Sequence, residues 1–334
     1  MKKRLWSMSL VFCAFLAACG SDDSAEKSES SGTKTAEAEE LVEVKQVTNW
    51  FAEAEHGGQY AAVDEGIYEE YGLDMTIEPG GPQVSGIQLV AAGSANFAMA
   101  HADEVLLARE QGIPVVAIST IFQTNPIAFM SHTEEPLKSA KDLNNRKVYI
   151  LPGQPFWDYI KNTQNLEGVT ELAYTGSLAT FLNDTESINQ GYVTNEGYVL
   201  EQEGITFSKA LIADMSGYNP YANMLITTED YIKENPEIVQ DYIDASKKGW
   251  DFFKENYEKT NEYINSLNPD YTMDMLNYAA EQSQPLIWTE ETDKNGFGYM
   301  SEERWETLKN QLVEAGLISE SLDVSKAYTT EFID

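Results

Sequence analysis

Apolar and polar positions alternate where the folded part of the chain begins. Leu41, Val42, Val44 and Val47 mark a strand that ends at Asn49-Trp50. The period then lengthens over 57–71, where Tyr60, Ala61, Ile67 and Tyr68 recur on one face of a predicted helix. Gly72 stops it, and 73–77 reads as a second strand. A helix over 84–92, a strand over 96–100, a helix over 103–111 and a strand over 114–121 follow. A second set repeats the scheme: strand 147–151, helix 155–161, strand 171–174, helix 178–182, then strands 188–193 and 210–213. A strand over 223–227 leads into a mostly helical tail. There Pro236 opens a helix, and Ile238, Val239, Tyr242, Ile243 and Trp250 keep helical spacing. Strands that alternate with helices predict parallel sheets covered on both faces. The chain is too long for one core, so two α/β lobes are expected.

The first residues are of a different kind. Lys2, Lys3 and Arg4 precede a largely apolar run over 5–18 and the string Leu16-Ala17-Ala18-Cys19-Gly20. A basic head, a short apolar segment and small residues before a cut predict a secretory signal over 1–18. The run is short for a membrane span, which takes about 20 apolar residues. Leu-Ala-Ala-Cys resembles the bacterial lipobox, which implies that Cys19 carries lipid and anchors the mature chain to the membrane. Residues 19–40 hold almost nothing apolar and are expected to be a flexible tether.

Cys13 and Cys19 are the two cysteines. With one in the signal and the other lipidated, disulfides, thiolate metal sites and cysteine nucleophiles are excluded from the mature fold. The formal charge is −33, and loss of the three basic residues of the signal makes it −36. A field of that sign repels nucleic acid and anionic lipid. It suits a protein exposed to salty or alkaline surroundings.

The order of lobe, lobe and helical tail resembles the type II solute-binding proteins of ABC importers. That fold implies a ligand cleft between the lobes, with the chain crossing near 122–128 and returning near 218–224. Lobe 1 is then 41–127 with 223–334, and lobe 2 is 128–222. Several strings sharpen the likeness: Asn49-Trp50, His56-Gly57-Gly58-Gln59-Tyr60-Ala61-Ala62, Gly66-Ile67-Tyr68, Leu89-Val90-Ala91-Ala92-Gly93, Ala95-Asn96-Phe97 and Gly191-Tyr192-Val193-Thr194-Asn195-Glu196. They resemble the family that joins bacterial thiamine-pyrimidine-precursor binding lipoproteins with fungal thiamine-pyrimidine synthases. The resemblance implies a binding protein with no cofactor, served by a permease and its ATPase. Its ligand would be a hydroxymethyl- or formylamino-type pyrimidine, with riboflavin as the alternative. The synthases carry a cysteine-rich motif that this chain lacks after Cys19, and the histidines here are His56, His101 and His132. That departure speaks against the enzyme.

Ligands of open α/β sheets collect outside the carboxyl ends of the strands. Trp50 follows the first strand and can stack on a flat heterocycle, or else cover the sheet end. Asn49 stands beside it. His56 precedes Gly57-Gly58, where backbone can approach a ligand closely, and Tyr60 lies a turn further on; the plainer reading is a turn with a surface histidine. His101 and Asp103 close the third strand, where Asp103 can face the cleft or simply cap a helix. Two histidines without thiolate or carboxylate company do not make a zinc site. Gln154, Phe156 and Trp157 sit between strand and helix in lobe 2, one ring pointing to ligand and the other inward. Asn195 and Glu196 can read an aminopyrimidine edge, since a carboxylate accepts where an amide both donates and accepts. Tyr218 falls at the return crossover, as a cleft residue or as packing. Rings, amides and carboxylates without arginine predict a neutral or weakly cationic aromatic solute rather than nitrate, sulfonate or phosphate.

Overall fold

The structure, a computed structural model, describes residues 40–133 and 137–333. The predicted signal, Cys19 and all of the tether except Glu40 lie outside the described residues.

Ten strands form two five-stranded sheets. The first holds β1 (Val42–Val47), β2 (Leu73–Glu78), β3 (Phe97–Ala100) and β4 (Val115–Ser119), together with β10 (Met224–Thr228), in the order β2-β1-β3-β10-β4. The second holds β5 (Ile127–Ser131), β6 (Lys147–Ile150), β7 (Thr170–Ala173), β8 (Ser187–Tyr192) and β9 (Ser208–Leu211), in the order β7-β6-β8-β5-β9. In both sheets four strands run in one direction, and the strand entered from the other sheet lies antiparallel between two of them. Helices cover both faces, so the inner strand β3 and the strands β4 and β5 bury every residue. Along β3, Phe97 and Met99 enter one apolar cluster while Ala98 and Ala100 enter the other, as the two-residue period requires.

The chain passes between the sheets over 120–126 and returns over 212–223. Phe122 and Ala222 pair there as an antiparallel bridge. The helix Glu302–Glu314 packs on Ala102–Glu110 from the first half and on Pro155–Thr163 from the second. Its Arg304 donates to the carbonyls of Gln123 and Asn219, one in each crossing segment, and the guanidinium lies 3.9 Å from the Tyr221 ring centroid.

Two predicted elements differ in the structure. The helix expected over 57–71 is broken into Gly57–Asp64 and Ile67–Glu70, because Gly66 takes a left-handed φ of 69° between them. The strand expected over 210–213 ends at Leu211, where the helix Ile212–Ser216 begins. Gly57 and Gly58 also serve another purpose than the one their pattern suggests. Cβ atoms there would fall 2.3 Å from Phe253 and 2.2 Å from Trp250, and one at Gly249 would fall 2.1 Å from the carbonyl oxygen of Gly58. The glycines let the Gly57–Asp64 helix lie against the long helix Pro236–Leu267. Backbone approaches another helix there, not a ligand. Gly249→Ala should therefore cost about 1–3 kcal/mol of stability through overpacking. A urea unfolding midpoint equal to that of the wild type would contradict this packing.

Candidate ligand-binding cleft

Parallel strands bring their carboxyl ends to one edge, and the two sheets turn these edges toward one another. From the first sheet, β1 delivers Asn49, Trp50 and Glu53, and β3 delivers His101 and Glu104. From the second, β6 delivers Gln154, β7 delivers Tyr174, and β8 delivers Tyr192, Asn195 and Glu196. Asn223, just ahead of β10, and Tyr271 with Met275 from the helical tail complete the wall. The cleft between them measures about 770 Å³.

A directed chain of hydrogen bonds backs this wall. His56 Nε2 lies 2.9 Å from Asn49 Oδ1, and Asn49 Nδ2 donates to Asn223 Oδ1 at 2.9 Å. An amide oxygen only accepts, so His56 carries its proton on Nε2. Asn223 N donates to His101 Nδ1 at 3.4 Å, which leaves the His101 proton on Nε2 for Tyr192 Oη, 2.9 Å away. These tautomers follow from the network. Tyr192 therefore accepts from His101 and keeps its own hydroxyl hydrogen for the cavity. Burial lowers the pKa of both histidines, that of His56 to about 3, so both stay neutral.

Carboxylates meet between the sheets. Glu55, fully buried, accepts from Thr194 Oγ1 and, at 2.9 Å, from Asn195 Nδ2. Asn195 Nδ2 also reaches Glu53 Oε2 at 3.2 Å. Glu196 accepts from Tyr192 N at 2.6 Å and Tyr174 Oη at 3.0 Å. Desolvation raises all three, Glu196 to about 7, and the Glu55 and Glu196 charges push Glu53 higher still. Among the described lining residues none is lysine or arginine. The arrangement can clasp a flat ring between aromatic side chains and accept hydrogen bonds from its rim.

A sequence profile described as NMT1/THI5 like matches residues 53–260. The chain belongs to the NMT1/THI5-like family. It is 29% identical over 260 residues to the riboflavin-binding protein RibY of Chloroflexus aurantiacus, covering 71% of this chain and 70% of that protein. It is 25% identical to the formylaminopyrimidine-binding protein of Halalkalibacterium halodurans, over 82% of this chain and 86% of that one. A more distant relative is the 4-amino-5-hydroxymethyl-2-methylpyrimidine phosphate synthase of Legionella pneumophila, 20% identical over 85% and 90% of the two chains. Among solved structures, the periplasmic aliphatic sulphonate binding protein SsuA of Escherichia coli superposes with a TM-score of 0.64 at 12% identity, over 86% of this chain and 91% of that one. The fold is that of the type II periplasmic binding proteins.

Within this NMT1/THI5-like chain the predicted site residues separate into two groups. Asn49, Trp50, His101, Gln154, Asn195 and Glu196 line the cavity. His56 and Tyr60 do not: both are buried behind it, His56 holding Asn49 and Tyr60 packed edge-on against His56 and Tyr263. Asp103 is turned away to accept from Tyr218 Oη at 2.8 Å, and Tyr218 stacks on Tyr159, so both belong to the crossover packing. Phe156 and Trp157 both point inward against Phe129, and Trp157 Nε1 donates to Glu171. The apolar face of their helix claims both rings. Glu53, Glu104, Tyr174, Tyr192, Asn223 and Tyr271 line the cavity without having been singled out. The position rule for strand ends would have found Tyr174 and Tyr192, but Tyr271 sits in a loop of the tail with no motif around it.

The raised Glu196 pKa has a sign that can be tested. The folded protein holds this proton more tightly than the unfolded chain, so the contribution to stability is full below about pH 4.5 and is lost as pH rises through about 7. Unfolding free energies measured from pH 5 to 8 should show the wild type losing stability relative to Glu196→Gln as pH rises. A difference that is flat or grows with pH contradicts the placement of this carboxylate.

Proposed function

We propose that the chain is an extracytoplasmic solute-binding protein that captures a flat, uncharged heteroaromatic molecule and hands it to an ABC permease and its ATPase. The observation that carries this reading is the cavity itself. It opens between the carboxyl edges of two sheets and offers Trp50, Tyr174, Tyr192 and Tyr271 as rings, with amides and carboxylates as acceptors. The pairing of Phe122 with Ala222 marks a narrow double crossing about which the halves can turn. Closing around a ligand would create the surface that the permease recognises. In this reading the signal directs export, and Cys19 with its tether holds the body at the membrane. No step of catalysis is assigned to the chain. The synthase among its relatives makes a phosphate-bearing product, and the cavity here offers that group no cation among its described residues.

Size speaks for a riboflavin-like ligand. A cavity of about 770 Å³ falls in the range of roughly 300–1,000 Å³ that buries a drug-sized molecule, and a single pyrimidine ring leaves most of it empty. The second reading, a thiamine-pyrimidine precursor, is favoured by Glu196 and Asn195, which suit an aminopyrimidine edge.

Adding the protein to riboflavin should quench the flavin fluorescence with one-to-one saturation. Absence of quenching, with saturable binding of an aminopyrimidine by calorimetry, would move the assignment to the second reading. Trp50→Ala should weaken binding at least about tenfold in either case, since aromatic stacking on a heterocycle contributes about 1–3 kcal/mol. An unchanged affinity would remove Trp50 from the site.

A further inference from the structure

The proposed stacking uses one face of Trp50, while its backbone and edges are engaged elsewhere; this inference rests on the solute-binding reading above. The Trp50 carbonyl accepts from Thr48 Oγ1 at 2.6 Å and from Gly80 N at 2.9 Å. These bonds fix the backbone, so the indole turns about its side-chain torsions. The ring reaches across to the second sheet, at the segment that follows β7. There Thr175, Gly176 and Ser177 are exposed, and a Cβ at Gly176 would stand 3.9 Å from Trp50 Cζ2. A single methyl group would therefore fill the gap between the indole and the opposite rim. A flat ring passing between two carbon atoms needs about 7 Å, twice their contact distance, so nothing aromatic slips through while both sides stay in place. Trp50 and Gly176 also line the cavity behind this gap.

Phe51 stands beside this ring without being one of the cavity-lining side chains. It is 44% exposed and meets Trp50 edge-on, with ring centroids 5.4 Å apart and planes at 66°. Gly81 takes its other side, where a Cβ would fall 3.2 Å from Phe51 Cε1. A bare backbone thus receives each end of the aromatic pair, Gly81 behind Phe51 and Gly176 ahead of Trp50. We propose that Trp50 is a gate at the cleft mouth, and that Phe51 is the positioning residue that holds it toward the rim at Gly176. A ligand then enters and leaves at this edge by displacing the indole. Turning the indole aside breaks the edge contact with Phe51, and a contact of that kind slows opening about two- to tenfold.

Stopped-flow mixing reads the two rates separately. Riboflavin is followed by flavin fluorescence, and 4-amino-5-hydroxymethyl-2-methylpyrimidine by the fluorescence of the protein. For whichever compound binds, Phe51→Ala should raise the association and dissociation rate constants together, each about two- to tenfold. The gate then opens more often whether the cavity is filled or empty, so the dissociation constant changes less than either rate. Phe51→Tyr keeps the ring edge and should return both rates to those of the wild type. An association rate that is unchanged or slower in Phe51→Ala overturns the proposal, because loss of a mere wall contact quickens dissociation alone. Rates in Phe51→Tyr that match those of Phe51→Ala overturn it as well. Both results leave solute capture intact. If neither compound binds the wild type, the functional reading itself fails, and the inference fails with it.

Discussion

The structure turns on a carboxylate that has nowhere to go but across a gap. Glu55 leaves β1 fully buried, and its hydrogen bonds come from Thr194 and Asn195 on the other sheet. A buried carboxyl group without partners costs several kcal/mol, so this group is content only while the two halves face each other. The same bonds hold Asn195 at the cavity wall, with Glu196 following it at the start of a helix. Binding geometry and the closeness of the halves are thus one arrangement.

Much of the fold is readable along the chain because each half is made of short elements with clean periods. Buried strands such as Phe97–Ala100 are apolar on both faces, and glycine or proline punctuates the turns. The strand-end rule also places Asn49, Trp50, His101, Asn195 and Glu196 at the cavity, since it depends only on where a strand stops. It fails where a local pattern has two physical uses. Gly57-Gly58 has the look of a loop that a ligand approaches, yet it admits the Trp250 and Phe253 side chains of a helix nearly two hundred residues away. Phe156 and Trp157 are adjacent, which suggests opposite directions, but the sheet beneath their helix takes both. Tyr271 joins the wall through a packing of the tail that no local pattern encodes.

Relatives on this fold are named for riboflavin, an aminopyrimidine, sulphonates and a synthase, so architecture alone does not choose a chemistry. Among its described residues the cavity of this chain is lined by carboxyl groups, amides and rings, with no lysine or arginine. Charge elsewhere on the molecule affects solubility and approach, whereas in the proposed reading the carboxyl groups at the wall face the bound solute. Neutral His56 behind the wall and neutral His101 in it keep the network polar without adding positive charge. A hydrogen-bond-donating, uncharged ring is the guest that leaves the fewest of these acceptors unpaired.

The most direct test of the central claim is native mass spectrometry of the protein carrying whatever it retains from its own cells. A single bound heteroaromatic compound without phosphate or sulphonate, released on denaturation and lost in Trp50→Ala, is the predicted result. An anionic ligand of one-to-one stoichiometry would contradict the account.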